Sequence, residues 1–476
     1  PIYLRGNGGN PAQSSNACGS MVQGTVLQLY DPERLRVLTR KGSPSDWSSF
    51  TTWMGERVAT HASGQGLAVL SRAQDGPSMV RMKSSFAEAM PQATWVEWEA
   101  INDDNERLGT KAVLGAPHQV VPHLDKAEIV VSLDADFLGT GANSTNNGHA
   151  WAQLRRLAGD PKQSTMSRVY QMESMLTVTG MAADERVAVR SGSIPHLATL
   201  ILERLDGSKG GSPDLEGSLS SAVNRVYEDH GEQVELTDLD VVEQAIADLT
   251  SHPGRCVVLA GEGQPPAVHA AVALINQKLG NLGKTVSYRA LPDQPTRLEA
   301  ITALTEAMNA GKVRTLFIME GNPCYDAPAD LEFSAALEKV EEVVFVGSHG
   351  CLTSIAPSVT WIVPSAHYLE AWGDARAFDG TISLVQPLIY PMVDTSQGGR
   401  STLELMASML GQSPATGLEI VRANAAARNG ATDDYAFERA WRKILARGYE
   451  PDTGYALVLP RADPSGARSM LDSLAP

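Results

Sequence analysis

Short apolar runs punctuate the chain at residues 66–71 (GLAVLS), 127–133 (AEIVVSL), 256–260 (CVVLA), 313–319 (VRTLFIM), 343–347 (VVFVG) and 359–363 (VTWIV). Continuous β-branched and aliphatic runs of this length read as strands buried on both faces. Amphipathic stretches, such as 267–279 and 297–310, lie between them. Strand, loop, helix and strand at this spacing predict parallel α/β layers with right-handed crossovers.

The rhythm breaks over residues 205–250. A glycine-rich loop at 207–213 is followed by two apolar-periodic stretches, near 219–229 and 239–250, expected as helices of an αα cap or a domain junction. The tail after Gln412 is alanine-rich, with an amphipathic helix expected over 435–447. At the other end, residues 1–5 suit an edge strand, and Asp31-Pro32 signals a turn or helix start.

At 476 residues the chain is too long for one core, and two to four domains are expected. Its 43% hydrophobic and 20% charged content is that of an ordinary globular protein. No window approaches the ~18–20 apolar residues of a membrane span, so membrane attachment is expected only through partners. A net charge of −16 argues against nucleic acid and suits docking to a basic partner. Cys18, Cys256, Cys324 and Cys351 are far apart and form no C-x-x-C pair, so they are read as free thiols rather than zinc or cluster ligands. The chain opens on Pro1, which is expected to follow a removed segment or to open a fragment of a longer protein.

Several segments carry candidate chemistry. Gly139-Thr-Gly-Ala-Asn-Ser-Thr-Asn-Asn-Gly148 follows one strand and opens a helix, where backbone N–H groups can cradle a phosphate. Its third glycine is misplaced and Asp134 and Asp136 precede it, so a connecting loop is the favoured reading. Gly261-Glu-Gly-Gln-Pro-Pro266 stands at a second strand end, and Glu262 again puts negative charge there. Glu320-Gly-Asn-Pro-Cys-Tyr-Asp-Ala-Pro328 offers Cys324 as a nucleophile without a local His to activate it. His367, Glu370, Trp372, Asp374 and Arg376 form the densest polar and aromatic cluster. His367 and Glu370, three apart, suit a shared metal, but a hydrogen-bonded loop is favoured. His118 and His123 lack a nearby third ligand.

Taken in order, these segments resemble the molybdopterin oxidoreductase superfamily. Gly6-Asn7, Asn16-Ala-Cys18-Gly19 and Tyr30-Asp-Pro-Glu-Arg-Leu35 are similar to its N-terminal motifs. Met319-Glu-Gly-Asn-Pro-Cys-Tyr-Asp-Ala-Pro328 is similar to its strand followed by G-x-N-P, and Val363-Pro364 with Glu370-Ala-Trp-Gly373 to its strand-end proline and acidic glycine turn. Within the superfamily, residues 78–83, 101–105 and 367–376 look like the B subunit of bacterial alternative complex III. The resemblance covers nearly the whole chain. It implies two Rossmann-like parallel-sheet α/β domains, one discontinuous. The expected division is 1–40, 41–93 with 251–412, 94–250, and a helical segment 413–476, with the strand at 66–71 in one sheet with those from Cys256 onward.

Departures from the catalytic pattern shape the expected function. A cluster of the 4Fe–4S type wants four thiolates, and the N-terminus offers Cys18 alone, with Ser20 where a lysine is usual. Met172-Glu-Ser174 replaces the guanine-binding Asp-Pro-Arg turn. The molybdenum-ligand region, 101–105, has only Asp103 and Asp104, expected in a solvated run. A bis-pterin cofactor would meet Asp134, Asp136 and Glu262 at the candidate loops. The resemblance therefore implies a noncatalytic, cofactor-free scaffold of a quinol:electron-acceptor oxidoreductase, with no catalytic, cofactor or metal residue in this chain. Its implied partners are an iron–sulfur half or chain (3Fe–4S and 4Fe–4S clusters), a multihaem cytochrome c and quinol-binding membrane subunits, on the periplasmic face of the inner membrane. The alternatives are an active molybdenum/bis-pterin enzyme with an aspartate ligand, or a nucleotide-binding Rossmann enzyme.

Overall fold

A computed structural model describes residues 3–12, 17–61, 63–141, 143–156, 166–207, 225–229, 232–236, 238–412, 415–429 and 434–472. The chain divides into two units, Pro1–Ile101 with Pro295–Gly454, and Asn102–Gln294 with Tyr455–Pro476.

The first unit is built on a sheet whose strands pair in the order Thr39–Arg40, Val359–Pro364, Glu342–Gly347, Thr315–Met319, Leu67–Ser71 and Thr94–Glu97, extended by Ser43–Pro44. The last five are parallel, and Thr39–Arg40 runs antiparallel at the edge. Side chains alternate between faces along a strand, so each strand feeds two cores. Leu67, Val69, Phe317, Met319, Val344 and Trp361 pack on one face, and Ala68, Leu70, Leu316, Ile318, Val343 and Phe345 on the other. Helix Arg297–Asn309 starts on a capping box in which Thr296 and Glu299 satisfy each other's backbone N–H groups.

The second unit carries a parallel sheet in the order Cys256–Ala260, Ile129–Leu133, Arg168–Glu173 and Glu185–Ala188. Val131, Leu133, Tyr170 and Val258 face one core, and Val130, Val169 and Val257 the other. A separate antiparallel pair joins His118–Pro122 to Val286–Ala290. No helix among the described residues is long and apolar enough to cross a membrane.

Each apolar run of the sequence contains a strand, but their grouping differs from expectation. Cys256–Ala260 pairs with Ile129–Leu133, not with the sheet of Leu67–Ser71. Both strands are equally apolar, so composition does not select the neighbour; the match of two buried faces does. The chain therefore returns to the first unit at Pro295 rather than at 251, and Thr94–Glu97 stays with the first unit. The tail is not a separate helical segment. Residues through Gly454 belong to the first unit, while Tyr455 onward joins the second, where Val458 and Tyr288 exchange backbone hydrogen bonds of 2.7 and 3.1 Å. Of the helix expected over 219–229, Arg225–Asp229 is instead a strand paired with Glu232–Leu236, and 219–224 lie outside the described residues. Loop residues 208–213 and the first two residues of the expected edge strand also lie outside them; residues 3–5 form no strand.

Trp361 is fully buried, with its ring 5.2 Å from Phe50 and 5.4 Å from Trp53. Trp361→Ala removes the centre of this cluster and is expected to destabilise the first unit by about 3–5 kcal/mol, read as a lower urea midpoint.

Candidate functional site

Ligands of open α/β sheets bind beyond the carboxyl ends of the strands. In the first unit, five parallel strands share this edge, and a cavity of about 330 Å³ opens there among Thr25, Gln74, Glu320, His367, Trp372 and Asp374. Glu320 follows its strand with φ +54°, a left-handed conformation that favours glycine. Its Oε1 accepts from Ser365 Oγ at 3.3 Å, while Arg72 Nε donates to the Glu320 backbone carbonyl at 3.1 Å. Burial raises the Glu320 carboxyl above its ordinary range, against the smaller opposing effects of Ser365 and Arg72. Asp374 accepts from Ser78 N at 2.9 Å and Ser78 Oγ at 2.6 Å, and burial raises it as well. The Leu369 N–H donates to His367 Nδ1 at 3.2 Å, so the neutral ring carries its proton on Nε2. That atom is buried and has no hydrogen-bond partner among the described residues. Burial, then the charge of Arg34, lowers the His367 pKa.

Behind this cavity lies a buried ion pair. Arg34 Nη1 and Nη2 donate to the two carboxylate oxygens of Glu370 at 3.0 and 2.8 Å. Glu370 also accepts from the backbone N–H groups of His367 and Met392, both at 2.9 Å, and Arg34 Nη1 donates to the Leu29 carbonyl. Burial alone would raise Glu370, but these bonds outweigh it and hold its carboxyl below the ordinary range. The pair joins two segments that the sequence presents separately, Tyr30–Leu35 and Glu370–Gly373. Glu370 is thereby fully engaged, so the segment is a hydrogen-bonded loop. No group of three His, Cys, Asp or Glu among the described residues suits a metal ion.

The carboxyl edge of the second unit is organised differently. Its backbone amides are taken by the chain's own carboxylates. Asp136 accepts from Thr179 N and Thr140 N, each at 3.0 Å, and from Thr179 Oγ1 at 2.8 Å. Burial would raise Asp136, yet these donors hold it below its usual range. Glu173, fully buried, accepts from Thr177 N, Thr177 Oγ1, Gln171 and Arg186. Asp134, at φ +63°, accepts from Ser174 N at 3.0 Å and Gln264 Nε2 at 2.8 Å. The glycines of the candidate loops make room for these contacts: a Cβ at Gly139 would meet Asp136 Oδ2 at 2.1 Å, and one at Gly261 the Asp134 carbonyl at 2.2 Å. Ala142, within the first loop, lies outside the described residues.

The remaining candidates separate. Cys324 sits in the short helix Pro323–Asp326, its N–H donating to Thr353 Oγ1, and Cys18 is a half-buried free thiol. His118 Nδ1 bonds the Ala116 carbonyl and His123 Nε2 bonds Ser287 Oγ. Asp103 pairs with Arg107 at 3.4 Å, and Asp104, expected in solvent, is buried at the start of helix Asp104–Leu114. Sequence reading missed Glu106 in the same helix, which accepts from Val120 N at 2.8 Å. Burial first, then Asp103 and Glu262, push its carboxyl up to about 7 against the Val120 bond and Arg289. Only the glutamate-to-Val120 contact, 14 residues apart, reveals it.

No family model matches the sequence, and no curated protein matches it. Among solved structures, the chain is similar to acetylene hydratase from Pelobacter acetylenicus, with a TM-score of 0.60 and 12% identity over 90% of this chain and 69% of that one. It also matches the formyltransferase/hydrolase complex from Methylorubrum extorquens, at a TM-score of 0.44 and 13% identity over 79% of this chain and 98% of that one, a likeness that carries no argument. The chain has a molybdopterin oxidoreductase-like α/β fold. At this identity the likeness shows the fold alone.

Two substitutions test these carboxylates. Removing one partner of a buried pair leaves an uncompensated charge, so Glu370→Ala is expected to destabilise by about 3–5 kcal/mol. Because Glu370 is held below its ordinary range, its contribution is present above about pH 4.3 and fades as pH falls through its folded pKa; denaturation midpoints of the two proteins should converge there. Glu106 is raised, so the sign reverses. Its contribution is present below about pH 4.3 and is lost as pH rises towards about 7. Glu106→Gln should flatten the melting temperature between about pH 5 and 8, and an unchanged pH profile would refute the assignment.

Proposed function

We propose that this chain is a cofactor-free, noncatalytic scaffold of the kind found in the B subunit of bacterial alternative complex III. In this reading it braces a ferredoxin-like iron–sulfur half and a multihaem cytochrome c against quinol-binding membrane subunits on the periplasmic face. It is one part of a quinol:electron-acceptor oxidoreductase and does no chemistry itself.

The observation that carries the reading is the set of internal carboxylates at the second unit's carboxyl edge. Backbone N–H groups at strand ends and helix starts are the usual seats of cofactor phosphates. Here Asp136, Glu173 and Asp134 accept from them. A phosphate would have to displace a carboxylate already held by several bonds, and would then face its charge at short range. In the first unit, Glu320 and Asp374 line the cavity, and no Lys or Arg among the described residues does. These residues do not fit a pterin dinucleotide. The resemblance of residues 367–376 to the alternative complex III subunit supports the finer assignment.

The test is metal and pterin analysis of the protein purified with its native partners. Iron and haem without molybdenum, tungsten or pterin fluorescence is the expected result. Near-stoichiometric molybdenum or tungsten with pterin would overturn the reading in favour of an active enzyme, with Asp103 and Asp104 as the residues to substitute.

A further inference from the structure

The two units share a strand-end device but use it differently. In each, an acidic residue in left-handed conformation follows a sheet strand: Asp134 after Ile129–Leu133, and Glu320 after Thr315–Met319. Each donates its backbone N–H to the neighbouring strand, Asp134 to Met172 at 2.7 Å and Glu320 to Val346 at 2.9 Å. The Asp134 carboxylate is saturated by Ser174 and Gln264. Among the described residues the Glu320 carboxylate has a single long bond, from Ser365, and it stands in the wall of the cavity.

We propose that the carboxyl-edge cavity of the first unit binds a small organic cation through a primary ammonium group, with the Glu320 carboxylate as its counter-ion. The inference assumes that no pterin fills the cavity, as in the reading above. Its volume, about 330 Å³, lies at the small end of the ~300–1,000 Å³ usual for ligand sites. Among the described residues, Glu320 and Asp374 line it with His367, whose pKa is lowered, and no Lys or Arg does, so a cation is favoured over an anion. Two guanidinium groups stand just outside the wall: Arg72 donates to the Glu320 backbone carbonyl and its charge partly offsets the Glu320 carboxyl, and Arg428 lies 3.9 Å from Asp374. The half-buried Glu320 carboxylate makes no ion pair within 4 Å among the described residues, and a ligand ammonium supplies a closer counter-charge than Arg72 does. Asp374 is bound to Ser78 and faces Arg428 at 3.9 Å, so its charge is largely compensated and Glu320 carries the attraction. Burial raises the Glu320 carboxyl, so protonation competes with the ammonium increasingly as the pH falls, which adds a pH signature. The protein's charge of −16 helps to gather cations from solution.

The experiment is calorimetric titration of the full-length chain, first shown to be free of pterin, with putrescine at about pH 8. Inorganic phosphate and glucose serve as controls. The expected result is saturable binding of putrescine at a single class of site, none of phosphate or glucose, and weaker putrescine binding at about pH 5. Glu320→Gln should weaken binding by about tenfold or more while melting no lower than the native protein. The pH dependence in the unaltered protein reads the same carboxylate without a substitution. Absence of saturable binding, equal affinity in Glu320→Gln, or equal binding of glucose or phosphate would overturn the proposal. Pterin or molybdenum in the purified chain would instead overturn the scaffold reading, so the two failures are distinct.

Discussion

The first unit is held at its carboxyl edge by one buried ion pair. Arg34 and Glu370 leave water together, and their desolvation is tolerable only because every charged oxygen and most of the guanidinium protons find partners. Through Leu29, His367 and Met392 the pair ties the N-terminal helix Ser20–Leu29, the loop beyond strand Val359–Pro364 and the segment around Met392 to one point. His367 owes its position in the cavity wall to this tie, since its N–H is bonded to Glu370. The cavity and its chemistry therefore rest on a contact that makes no ligand interaction itself.

The second unit shows how a parallel α/β sheet can turn its strand-end amides inward, onto its own carboxylates. Glycine at 139, 180 and 261 is needed where side-chain carboxylates or a carbonyl approach the backbone too closely for a Cβ. The same residue types that elsewhere bring a backbone up to a phosphate here bring it up to Asp136, Glu173 and Asp134. A glycine-rich loop at a strand end is thus evidence of close approach, and its partner must be read separately. Glu320 and Asp134 occupy equivalent strand-end conformations, yet one is saturated and the other nearly bare.

How much of this was legible in the sequence depends on distance along the chain. The runs at 66–71 and 256–260 are apolar on both faces whatever sheet they join, so strand identity was readable and pairing was not. Strand Arg168–Glu173 escaped notice because Gln171 and Glu173, both fully buried, interrupt its apolar signal. Glu173 is inside because Arg186 and Thr177 donate to it, and Gln171 donates to Glu173 and to the Ala135 carbonyl. Asp104 looked solvated beside Asp103 and is buried. The carboxylates near the candidate loops were visible in the sequence as negative charge, but their bonds to backbone amides were not.

By itself the sequence determined the α/β character, the strand-forming runs, the punctuating glycines and prolines, and the sign of the charge at each candidate loop. These follow from local propensity and pattern, which act over a few residues. Tertiary structure alone decided the return of the chain at Pro295, the split of the tail at Gly454, the Arg34–Glu370 pair across 336 residues and the raised carboxyls of Glu106 and Glu320. Those depend on which buried faces meet and on what surrounds a charge once water has been excluded, and neither is written in neighbouring residues.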